Sequence, residues 1–140
     1  MSHLRALVEH YLLEWSSSRW AHAYHSLIEL GPRILPELES RFAEGRDSAL
    51  RAALVELAQQ LHSADALPLF AAALEDEAPE VWKQALDGLV DLASPGSLLL
   101  LESALAHSPP GETSPGEWAS WVQEAIQQVR AEQEARGGAA

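Results

Sequence analysis

Apolar residues along this chain recur at three- and four-residue steps, not at alternate positions. That spacing places them on one face of a helix. Leu4, Leu7, Val8, Tyr11, Leu12 and Trp15 open the series and predict a first helix over about 4–15. Ser16-Ser17-Ser18 offers an N-cap for a second, ending near Leu30, where Gly31-Pro32 stops it and starts a third over about 33–44. Asp47 or Ser48 caps a fourth over about 48–62, and Ser63 or Asp65 opens a fifth over about 65–76. Pro79 sits in the first turn of a sixth, about 79–93, where its missing N–H costs nothing. Ser94-Pro95-Gly96 leads to a seventh, about 97–107, and an eighth runs over about 116–135. Between the last two lies one long Pro-rich loop, 107–116. Residues 1–136 read as a single domain, with 137–140 a flexible tail. Strand formers are scarce, with Thr113 the sole threonine, and the fold class is all-α.

A period organises these helices. Leu35-Pro36 recurs as Leu67-Pro68, a step of 32. Ser48, Leu50, Leu54 and Leu61 map onto Pro79, Val81, Ala85 and Leu92 at a step of 31. Val81, Ala85, Leu89 and Leu92 map onto Trp118, Val122, Ile126 and Val129 at a step of 37, the extra residues being the Pro-rich loop. Backwards, Leu50, Leu54 and Leu57 fall on Trp20, Tyr24 and Leu27 at a step of 30. The pattern gives four helical hairpins, each with an outer A helix and an inner B helix. One hairpin cannot bury its apolar face alone, so stacking makes the core continuous.

Residues 64–92 carry a recognisable pattern. Leu67-Pro68-Leu69 opens an A helix, the turn Glu75-Asp76-Glu77-Ala78-Pro79 is acidic, and the B helix holds Val81 followed by Ala85-Leu86. This stretch resembles a HEAT-like repeat; residues 33–62 resemble it more loosely, and the end hairpins are degenerate, as capping repeats are. The resemblance implies a right-handed α-solenoid of about four HEAT-like hairpins, with B helices lining a concave surface. It specifies fold better than function. One departure stands out: the family's Arg is kept as Arg51 after Leu50, but is Trp82 after Val81.

Charge narrows the partners. Twenty-one acids against nine bases give a net charge of −12. That argues against binding nucleic acid or an anionic membrane, both of which need Lys and Arg facing phosphates. No cysteine is present, so thiolate metal sites and cysteine nucleophiles are excluded. Glu9 and His10 interrupt the apolar run that a signal peptide needs, and no stretch approaches a membrane span. A cytoplasmic location is the expectation.

The repeat alignment exposes a ladder. Glu56, Asp87 and Glu124 hold one equivalent position in three successive B helices, and Gln60, Asp91 and Gln128 hold the position one turn later. On the sixth helix Glu80, Gln84, Asp87 and Asp91 form one stripe. With the B helices on the concave side, as the resemblance implies, these make an acidic, amide-rich groove suited to Lys- or Arg-bearing surfaces. The alternative is an ordinary solvated polar face. Trp20 and Trp118 fall on apolar repeat positions and read as core. Trp82 takes the place of Arg51 and Ala119, so it is either a partly exposed hot spot of the same surface or packed across the hairpin. His22, His25 and Glu29 have metal-ligand spacing without a second ligand set, and read as surface or packing residues. No phosphate loop, nucleophile elbow or His-Glu-x-x-His is present.

These features predict a non-catalytic scaffold, with no cofactor or metal, that binds a basic protein through Glu56, Gln60, Glu80, Trp82, Gln84, Asp87, Asp91, Glu124 and Gln128. One specific form is an immunity-type inhibitor masking a basic toxin active site. An adaptor or chaperone subunit of a larger complex fits the same charge. Some proteins of the resembled family attach or detach chromophores, which leaves a lyase-type enzyme as the rival class.

Overall fold

The computed structural model describes residues 3–107, 109 and 111–138. Among them are eight α-helices and no strand: α1 (His3–Leu12), α2 (Trp20–Leu30), α3 (Leu35–Glu44), α4 (Ser48–Gln60), α5 (Leu67–Leu74), α6 (Pro79–Leu92), α7 (Pro95–Leu105) and α8 (Pro115–Gly138). Short 3-10 turns, Pro32–Ile34 and Ala64–Ala66, lead into α3 and α5. The odd-numbered helices form one layer, in which α3 touches α1 and α5, and α5 touches α7. The even-numbered helices form the second, in which α2, α4, α6 and α8 follow one another side by side. The chain is an all-α solenoid of four stacked hairpins.

The core lies between the layers. Leu54, Leu57, Val81, Ala85, Leu89, Val122 and Val129 are fully buried on the B helices, facing Leu38, Leu69, Phe70 and Leu101 of the A helices. These are the apolar repeat positions and their A-helix counterparts. Gly88 shows how tightly α5 and α6 meet: a Cβ there would lie 2.6 Å from the Phe70 ring. Glycine weakens a helix interior, and here it admits an aromatic ring against the backbone.

Caps fix the boundaries. Asp47 accepts a hydrogen bond from Ala49 N (2.9 Å), and Ser94 and Ser97 form a reciprocal capping box on α7. The start of α2 departs from expectation. Ser16 takes a positive φ of 67°, Ser17 Oγ accepts from Arg19 N outside the helix, and Arg19 occupies the cap position without a side-chain bond. The serines therefore build a turn that ends α1 at Leu12, and Trp15 and Trp20 pack edge to face across it at 5.2 Å. At the other end, α8 runs through Gly137 and Gly138, which the sequence reading assigned to a tail; residues 139 and 140 lie outside the described residues. Its last turns are tied down: Gln133 Nε2 donates to the Ala93 carbonyl (3.3 Å) and Arg136 Nη1 to the Leu92 carbonyl (3.1 Å), satisfying the end of α6.

Candidate functional site

The B helices present a solvent-exposed face. Glu56, Asp87 and Glu124 are all exposed on it, as are Gln60, Asp91 and Gln128 one turn on. Stacking ties several of these to neighbours. The Tyr24 hydroxyl donates to Glu56 (3.4 Å), and Ser48 Oγ donates to Glu80 (2.5 Å); both pairs are 32 residues apart, one repeat. Gln84 Nε2 donates to Gln59 Oε1 (2.6 Å) between α4 and α6, which leaves Gln84 half-buried. His62 Nδ1 lies 3.1 Å from Asp91, and Gln128 Nε2 donates to Glu124 (3.4 Å). Among the described residues Asp87 has no hydrogen-bond or ion-pair partner, and its carboxyl is raised above the ordinary range by desolvation.. Tyr24 is pushed up to about 12, by burial first and then by the Glu56 charge and hydrogen bond.

Trp82 is not on this face. It is fully buried, with its ring 5.0 Å from Trp118 and 6.1 Å from Trp121, both edge to face. The large apolar ring replaces the Arg of the previous repeat and turns into the α6–α8 joint, so the hot-spot reading of Trp82 fails and packing accounts for it. The exposed aromatic is Trp121, 40% accessible. Sequence reasoning missed it, although the 37-residue step that carries Val81 to Trp118 also carries Gln84, a stripe residue, to Trp121. Lys83 completes this corner, its Nζ 4.6 Å from the Trp121 ring centroid and 5.5 Å from that of Trp82.

The Arg position makes a more buried joint. Arg51 Nε and Nη2 donate to the two oxygens of Asp76 (2.8 and 3.2 Å), and Nη1 donates to the Gly45 carbonyl (3.2 Å). Asp76 also accepts from Ala78 N at 3.0 Å. Both side chains are largely buried, and the hydrogen bond to Asp76 pushes the Arg51 guanidinium up, so it stays charged. This pair links two repeats.

A cavity of about 530 Å³ between α5, α7 and α8 is lined by Leu74, Glu75, Leu100, Ala104, His107 and Trp118. His107 Nδ1 is engaged with the Ser103 carbonyl at 2.6 Å. It shares no residue with the predicted surface. His22 and His25 are exposed on α2, and among the described residues no three His, Asp or Glu side chains converge on a metal position. Among them too, no helix is long and apolar enough to cross a membrane.

A solenoid of stacked A and B helices, joined by a buried Arg–Asp pair, defines the class. Residues 35–114 match the family model for HEAT repeats, and the chain belongs to that family. HEAT repeats generally act as protein-interaction scaffolds. No curated protein and no solved structure matches the chain.

Proposed function

We propose that the B-helix face is the docking surface of a non-catalytic protein-binding module, and that its partner is a basic protein. The observation that carries this reading is the ladder of Glu56, Asp87 and Glu124, exposed in three neighbouring helices, with Asp91 and two amides beside it. Glu80 extends the same stripe. Aligned carboxylates focus a negative potential, and a net charge of −12 steers a basic partner toward it. An inhibitor that masks the basic active site of a nuclease-like toxin is the most specific form of this reading; an adaptor or chaperone for a basic protein uses the same surface.

The test is capture from lysate of the source organism by wild type and by the Glu56→Lys/Asp87→Lys/Glu124→Lys variant, at low and moderate salt. The captured basic protein is then purified and titrated against both. Binding to wild type that weakens with salt and is lost in the variant, with the variant's helicity intact, is the expected result. A nuclease among such partners favours the inhibitor form. Equal affinity for both proteins overturns the docking surface.

A further inference from the structure

The corner formed by Lys83, Trp121 and Trp82 has a chemistry of its own. Lys83 is the only lysine in the chain. Glu80 and Asp87 flank it at the three- and four-residue spacings where helix ion pairs ordinarily form. Among the described residues, Lys83 nevertheless makes no ion pair with either. Its ammonium lies instead over the Trp121 ring at 4.6 Å, inside the roughly 6 Å reach of a cation–π contact. Trp82 stands beneath at 80° to Trp121, fixing the orientation of the exposed ring.

We infer that Trp121, backed by Trp82, is a seat for an arginine or lysine side chain of the basic partner, and that Lys83 fills this seat in the free protein. The inference rests on the docking reading above and names one contact within it. An indole face in an acidic surface selects a cation. Lys83 also has somewhere to go: it lines a crevice with Glu77, Glu112 and Glu117, so a displaced ammonium exchanges an aromatic contact for carboxylates. The partner's cation takes the ring while Lys83 neutralises acids that the partner leaves uncovered.

A short polyarginine peptide is the probe, titrated calorimetrically at low salt against wild type, Trp121→Leu, Lys83→Met and the double variant. Trp121→Leu keeps apolar bulk against Trp82, and matching thermal melts confirm the fold. Loss of the ring is expected to weaken peptide binding about fivefold. Lys83→Met is expected to tighten it about threefold when Trp121 is present, with most of that gain gone in the Trp121→Leu background. In parallel, the Lys83 side-chain proton resonances, unambiguous in a protein with one lysine, shift away from their ring-current-shielded positions on peptide saturation. An equal gain in both backgrounds reduces Lys83 to a general charge effect and overturns the seat. So does an unchanged Trp121→Leu affinity. The triple charge-reversal variant separates the two readings. Wild-type peptide affinity in that variant removes the docking face itself. Lost affinity there, with Trp121→Leu and Lys83→Met silent, removes the seat alone.

Discussion

Two joints between repeats occupy the same helical position and are built from opposite chemistry. Arg51 on α4 reaches the next turn and binds Asp76 in a two-pronged pair, 2.8 and 3.2 Å, with the Gly45 carbonyl as a third acceptor. Trp82 on α6, its counterpart one repeat later, meets Trp118 and Trp121. The hairpin that follows each B helix supplies the other half of the joint. After α5 the turn is short, and Asp76 is held in place by accepting from Ala78 N. After α7 comes the long Pro-rich loop, whose Gly111 lies so close to Glu77 that a Cβ would stand 2.9 Å from its carbonyl oxygen. A solenoid therefore tolerates the loss of a charged joint when an aromatic one fills the volume. The exchange has a cost: among the described residues the buried Trp82 indole N–H has no partner.

The aromatic joint is expected to be the stronger. Trp82→Ala empties a fully buried site and should cost about 3–5 kcal/mol, a large part of the roughly 5–15 kcal/mol that folds a domain. Urea unfolding followed by far-ultraviolet dichroism measures it. Trp82→Phe removes the unsatisfied N–H along with ring volume, and should cost less than half as much. A Trp82→Ala variant close to wild-type stability would mean that α6 and α8 pack without the ring.

The charged joint follows. Arg51→Ala strips Asp76 of both guanidinium donors, leaving only Ala78 N, in a site where the two side chains are only 15% and 8% exposed. Removing one partner of a buried pair costs about 3 kcal/mol, mainly through the stranded carboxylate. Arg51→Met with Asp76→Asn removes both charges and keeps an acceptor for Ala78 N. It should recover most of the loss. If the double variant is no better than Arg51→Ala, the pair is holding repeat geometry, not compensating burial.

How far the sequence reaches is clear from these same positions. Val81, Ala85 and Leu89 are fully buried where the repeat places them, because helix periodicity alone assigns their face. The helices, their Pro-containing starts and the family were legible for the same reason. Trp82 was ambiguous because its environment is set by the following hairpin, and no local pattern says whether that hairpin supplies a carboxylate or an indole. Trp121 went unseen as a surface residue although the 37-residue step sets it level with Gln84, because an indole ordinarily fills a core position. The Tyr24–Glu56 and Ser48–Glu80 bonds each span 32 residues and depend on the lateral offset of neighbouring helices, which periodicity does not contain.

The smallest effect belongs to the joint nearest the surface, and it carries a pH signature the other two lack. Tyr24 on α2 donates to Glu56 on α4, and its phenol is raised from 10.0 to about 12. A folded-state pKa above the unfolded value means the folded protein holds its proton longer. The stabilisation is complete below about pH 10 and is lost as pH rises toward 12, where the folded phenol also ionises. Wild type should therefore show an alkaline decline in melting temperature that begins near pH 10 and levels off near 12. Tyr24→Phe has no proton to lose, so this part of the decline disappears, while near neutrality it sacrifices only a long, partly exposed hydrogen bond of 3.4 Å. Trp82→Phe and the Arg51→Met/Asp76→Asn variant should leave the alkaline limb unchanged. A limb that persists in Tyr24→Phe would assign it to other groups and remove the Tyr24 phenol as the source of the alkaline decline.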